Sequence, residues 1–133
     1  SERLKLYSEL NKIKTNNDLA LFNNNLIDRF GKLPLQVIDL LKSIELKWIG
    51  VKLGFDKIIL KKNTLICHYI GNSEDTNDSK NFKALITFVN ANSELSNISE
   101  KNTKNGSRMV IKFFKIFSIN SAYELLEKII KIQ

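Results

Sequence analysis

The chain is short of the residues from which most catalytic and cofactor sites are built. One cysteine, Cys67, rules out an internal disulfide and a thiolate metal cage. One histidine, His68, leaves few soft ligands of any kind. The five glycines supply neither G-x-x-x-x-G-K-[ST] nor G-x-G-x-x-G, so the backbone cradles that hold nucleotide phosphates are missing. No apolar run approaches the roughly 18 residues of a membrane span, and no basic segment followed by an apolar run opens the sequence. These shortages predict a chain that stays off the membrane, in a reducing compartment, with no cofactor and no metal of its own.

What is present is a core. With 43% apolar residues in 133, the chain can bury one sizeable interior and is expected to form a single domain over 1–133. It opens on Ser1, in residues that already read as helix, which predicts a piece excised from a longer polypeptide. The net charge is +7, yet the 21 basic residues are interspersed with 14 acids, and no basic run exceeds the pair Lys61-Lys62. That pattern argues against a dedicated phosphate-tracking arm. The sixteen asparagines read as a coding bias.

Apolar spacing sets the order of elements. Leu6, Leu10 and Ile13 mark a first helix over 3–14, with Tyr7 alongside. Thr15-Asn16-Asn17-Asp18 matches a capping box opening a second helix, and Gly31 supplies its stop. Leu19, Phe22, Leu26 and Phe30 share that helix's core side. Pro34 suits the entry of a longer third helix running to Gly54, its buried stripe read as Val37, Leu41, Ile44, Trp48 and Val51, widened by Ile38, Leu40 and Ile49. The period then becomes two, predicting a hairpin that turns at Lys62-Asn63. A polar loop over 71–79 precedes a fourth helix carrying Phe82, Leu85, Ile86 and Val89. A weak strand over 95–101, an Asn105-Gly106 turn and a strand over 108–115 make a second hairpin. Ser118 or Ser121 caps a last helix with Tyr123, Leu126 and Ile130 inside. The fold class is α+β: three helices, hairpin, helix, hairpin, helix, with the helices packed on a small, mostly antiparallel sheet.

Few residues offer chemistry. Strand alternation sends Cys67 and His68 to opposite faces, a poor arrangement for a Cys-His pair, so His68 reads as a packing residue. Glu74, Asp75 and Asp78 lack the glycine and closing glutamate of a calcium loop. The strand from Arg108 lacks the glycines of an RNA-recognition motif, and Phe113, Phe114 and Phe117 are expected to fill the core.

The end of the second helix breaks a local rule. At 100° per residue Asp28 lies opposite the core stripe, with Leu21 and Asn25 beside it. Arg29 complements the negative helix terminus, whereas an exposed Asp28 opposes it at about 0.3–1 kcal/mol. Adjacent helical positions do not face each other, so Arg29 cannot simply neutralise Asp28. A leucine among an aspartate, an asparagine and an arginine has the make-up of a small protein-binding patch, against the plain alternative of a solvated face with scattered charge.

The run Leu26-Ile27-Asp28-Arg29-Phe30-Gly31-Lys32-Leu33-Pro34, preceded by Arg3-Leu4-x-Leu6-Tyr7, resembles the C-terminal module of the bacterial transcription-repair coupling factor family (Mfd), where an R-x-x-x-Y helix precedes E-L-x-D-R-F-G-x-L/P-P. The resemblance covers residues 3 to 60 well and the remainder by element order. It implies a non-catalytic regulatory domain following an ATP-dependent motor that translocates on double-stranded DNA and acts on RNA polymerase in the cytoplasm, ATP and Mg belonging to that motor alone. It further implies intramolecular docking on the UvrB-like N-terminal module, in competition with UvrA. The family's contact carboxylates come from an E-x-x-D pair. Asp28 matches the second, and Asn25 stands where the glutamate would be, which turns a charge-assisted contact into a neutral hydrogen bond of about half the strength. Asp28, Arg29, Asn25 and Leu21 are the expected partner-binding residues. The competing reading is a basic accessory module that binds DNA without sequence preference through dispersed lysines.

Overall fold

A computed structural model of the chain describes residues 2–70, 76–104 and 106–132. The order is α1 (Glu2–Asn11), α2 (Asn16–Phe30), α3 (Leu35–Lys52), β1 (Phe55–Lys61), β2 (Thr64–Tyr69), α4 (Thr76–Ala91), β3 (Ser96–Thr103), β4 (Gly106–Phe114) and α5 (Ile119–Ile130). This is the expected α+β arrangement. The chain divides into two compact units, Ser1–Leu41 and Lys42–Gln133, and the division falls within α3.

In the first unit the capping chemistry sets the helix ends. The Thr15 hydroxyl accepts from the Asp18 backbone N–H at 3.1 Å, and the Asp18 carboxylate accepts from the Lys14 N–H at 3.2 Å, so two otherwise unpaired donors are satisfied. Gly31, at φ 75°, donates its N–H to the Ile27 carbonyl and ends α2. Leu19, Leu26, Leu33 and Leu41 are buried. Phe22 is half-buried, while Phe30, expected inside, is 48% exposed. Phe30 is the last residue of its helix, and it borders an apolar crevice with Leu6, Leu10, Leu33 and Val37, its ring beneath the Arg29 guanidinium.

The second unit is a four-stranded antiparallel sheet in the order β1-β2-β4-β3. Lys62 and Asn63 both take positive φ, 51° and 58°, as a two-residue type I′ hairpin requires. The second hairpin turns one residue earlier than expected: Thr103 pairs with Gly106, which places Gly106 in β4 rather than at the turn centre, and Asn105 lies outside the described residues. Of the loop expected over 71–79, residues 71–75 lie outside the description and α4 has begun by Thr76. The side chains of Glu74, Asp75 and Asp78 also lie outside the described residues.

One face of the sheet makes the core. Leu65 and Cys67 of β2, Ile111 and Phe113 of β4 and Phe55 of β1 meet Leu46, Ile49 and Leu53 of α3, Leu85 and Val89 of α4 and Ala122, Leu126 and Ile129 of α5. Each large apolar side chain so buried contributes about 1.5–3 kcal/mol. Ser96, the buried polar residue here, donates its hydroxyl hydrogen bond to the Asn92 carbonyl at 2.7 Å. Two expectations are corrected. The inner stripe of α3 in this unit is Leu46, Ile49 and Leu53, with Ile44 and Trp48 only half-buried and Val51 53% exposed, as are Ile38 and Leu40 farther up the helix to lesser extents. A helix apolar on most of its circumference leaves its buried side undetermined by spacing. Phe114 and Phe117 are exposed, because strand alternation turns Phe114 away from Phe113 and Phe117 follows the strand's end. Ser118 is the cap of α5, its hydroxyl accepting from the Ser121 N–H at 3.0 Å.

Candidate functional site

Leu21, Asn25, Asp28 and Arg29 recur at 4, 3 and 1 residue spacing, and helix α2 brings all four to one exposed face. They line one wall of a groove of about 490 Å³ whose other wall includes Glu9, Lys12 and Ile13. Phe22 and Leu26 also line it, and Asp18 contributes a carboxylate from the first turn of α2. Leu21 is 63% exposed, an apolar projection among polar groups.

Asp28 is exposed and forms no ion pair among the described residues. Arg29 lies with its guanidinium carbon 5.2 Å from the Phe30 ring centroid, a cation–π contact that leaves its N–H groups outward. Three acids, Glu9, Asp18 and Asp28, face two bases, Lys12 and Arg29, so the groove is locally acidic within a chain of net charge +7. Such a groove suits a cationic side chain flanked by apolar surface. The α1 contribution was not anticipated from sequence. The signal was there in the 3 and 4 spacing of Glu9, Lys12 and Ile13, but which face of a short helix meets a neighbouring helix is not written in its own period.

Elsewhere the titratable groups are dispersed. Among the described residues no group of three or more histidine, cysteine, aspartate and glutamate side chains converges where a metal could sit. Cys67 is fully buried, and desolvation pushes its thiol far above the ordinary range, so it stays protonated and poorly nucleophilic. His68 points to the opposite face, its pKa lowered first by partial burial and then by Lys57, with Lys101 and Arg108 adding to the effect and Asp56 opposing it. No helix among the described residues is long and apolar enough to cross a membrane.

The fold and the groove together define an α+β module with helices on one face of an antiparallel sheet and a polar, apolar-centred surface groove on its leading helices. The sequence model of the TRCF domain matches residues 1–80, more than half of the chain, and the chain belongs to that family. A solved structure described as the C-terminal domain of transcription-repair coupling factor superposes with a TM-score of 0.59 at 18% identity, covering 99% of this chain and 83% of that one. At that identity the likeness shows a shared fold. No curated protein matches the chain.

Proposed function

We propose that this chain is the non-catalytic C-terminal regulatory module of a bacterial transcription-repair coupling factor, and that the groove of α1 and α2 docks on the UvrB-like N-terminal module of the same protein, masking the surface that recruits UvrA. The observation that carries the reading is the outward Asp28, without an internal cation and set in an acidic groove beside Leu21. A carboxylate in that position is available to an arginine of the partner. Asn25 weakens the family's carboxylate pair, and Glu9, on the facing wall, brings a second carboxylate to the same groove.

An intramolecular latch works at high effective concentration, so a few polar contacts hold it shut and little free energy releases it when the motor engages stalled RNA polymerase on double-stranded DNA. In this reading ATP and Mg serve the motor alone, this module holds no cofactor, and the whole protein works in DNA repair in the cytoplasm.

The test is a titration of this chain against the isolated N-terminal module. Loss of a charge-assisted hydrogen bond of about 1.5–3 kcal/mol predicts that Asp28→Ala binds roughly ten-fold to a hundred-fold more weakly. Thermal stability should stay within about 0.5 kcal/mol, since the side chain is exposed. Equal affinities for wild type and variant would remove Asp28 from the site.

A further inference from the structure

Within residues 42–133 the core takes up one face of the sheet, and the register fixes what stands on the other. Lys57, Ile59 and Lys61 of β1 are followed across the sheet by Thr64, Ile66 and His68 of β2, then Arg108, Val110, Lys112 and Phe114 of β4, then Asn97, Ser99 and Lys101 of β3. None of these residues belongs to the core cluster. The bulge between Phe55 and Lys57 adds Asp56, which pairs with Arg108. This face therefore carries five cations and one carboxylate, whereas the chain as a whole carries 21 bases against 14 acids. Among the described residues Lys57, Lys61, Lys101 and Lys112 have no carboxylate partner.

We propose that this outward sheet face is a sequence-independent surface for the backbone of duplex DNA, gripped by Lys57, Lys101, Arg108 and Lys112 around a neutral centre of His68 and Val110. Charge complementarity selects the partner. Strands lie about 4.8 Å apart and alternate residues about 6.7 Å apart, so the cations span on the order of 15 Å in both directions. A duplex carries one charge per about 1.7 Å of axis and offers several phosphates to such a patch in any orientation. The centre of the face is aliphatic and imidazole, without the aromatic platform that unpaired bases stack upon, which favours duplex over single strands. Unpaired lysines on flexible stems reach phosphates without fixing a register, so no base preference is expected. The surface lies on other elements than the α1–α2 groove, and the proposal stands apart from the docking reading.

The test is fluorescence anisotropy of a labelled duplex of about 25 base pairs titrated with the full chain at about 50 and about 200 mM salt. The variant Lys57→Gln/Lys101→Gln/Lys112→Gln should bind at least about ten-fold more weakly at the lower salt, with the slope of log K against log salt shallower by roughly 2–3, about 0.9 for each phosphate released. A control triple on the exposed helix surfaces, Lys47→Gln/Lys83→Gln/Lys128→Gln, removes the same charge and should change affinity by less than about two-fold. Amide shifts of the unmodified chain on adding duplex should centre on β2 and β4, a reading that depends on no variant. Asp28→Ala should leave DNA binding unchanged, which separates this surface from the docking groove. Equal losses in both triples would make the binding a diffuse effect of net charge. Absence of wild-type binding at the lower salt, or displacement of DNA by polyglutamate at equal charge concentration, would also overturn the proposal, the second pointing to an acidic protein segment instead.

Discussion

Two neighbouring residues on β2 show how a strand assigns opposite fates to adjacent side chains. Cys67 is sealed in the core and His68 stands on the cationic face. Four groups bear on the imidazole besides its partial burial: Lys57 and Asp56 from β1, Lys101 from β3 and Arg108 from β4. The three cations outweigh the one carboxylate, and the protonated form is disfavoured. The unfolded chain takes up this proton near the ordinary value of about 6.5, the folded chain only at lower pH. The contribution of His68 to stability is therefore full above that value and is lost as pH falls through the folded value. An NMR titration of the imidazole should show a midpoint below about 6.5. A midpoint above it would contradict the cationic surroundings. The docking prediction belongs to this scale too, because Asp28→Ala changes one exposed group and leaves the packing around it intact.

At the scale of elements, α2 was the most readable segment. Thr15, Asp18 and Gly31 occupy cap positions whose chemistry is local, and local chemistry survives in any tertiary setting. Gly31 sits at φ 75° and ψ −145°, a region almost closed to residues with a Cβ, although open space surrounds the position. Gly31→Ala should accordingly destabilise by about 1–3 kcal/mol through backbone strain alone, measured by urea denaturation. A neutral result would mean that the α2 terminus relaxes into another turn. The α3 helix was read less well. Its apolar residues surround most of the axis, so spacing could not choose between the Val37–Val51 stripe and the Leu46, Ile49, Leu53 stripe that meets the core of the second unit. The Phe113-Phe114 pair failed for a related reason: two adjacent strand aromatics cannot both face inward.

For the whole molecule, the division of labour is between a leading unit whose exposed helix face forms a groove and a following unit whose sheet holds a compact core. Leu126 is fully buried in that core, on the inner side of α5. Leu126→Ala should cost about 2–5 kcal/mol in unfolding free energy, the lost transfer term plus the cavity left behind. A loss below about 1 kcal/mol would show that the core collapses around the gap. Charge is distributed unevenly on the same scale. The groove is acidic and the outer sheet face basic, in a sequence whose residue order gives only interspersed charge.

The amino-acid order by itself determined the succession of elements, the caps of α2, the first hairpin turn and the outward direction of Leu21, Asn25, Asp28 and Arg29, because helical and strand periods and capping bonds act over a few residues. The family resemblance over the leading residues was equally local, a short run of side chains. Tertiary structure alone decided that the two hairpins join through β2 and β4, that α1 supplies the second wall of the groove, and that lysines far apart in sequence gather on one sheet face. Each of these depends on which strands exchange hydrogen bonds and which helix faces meet, a choice made by burial over the whole core rather than by any segment's own pattern.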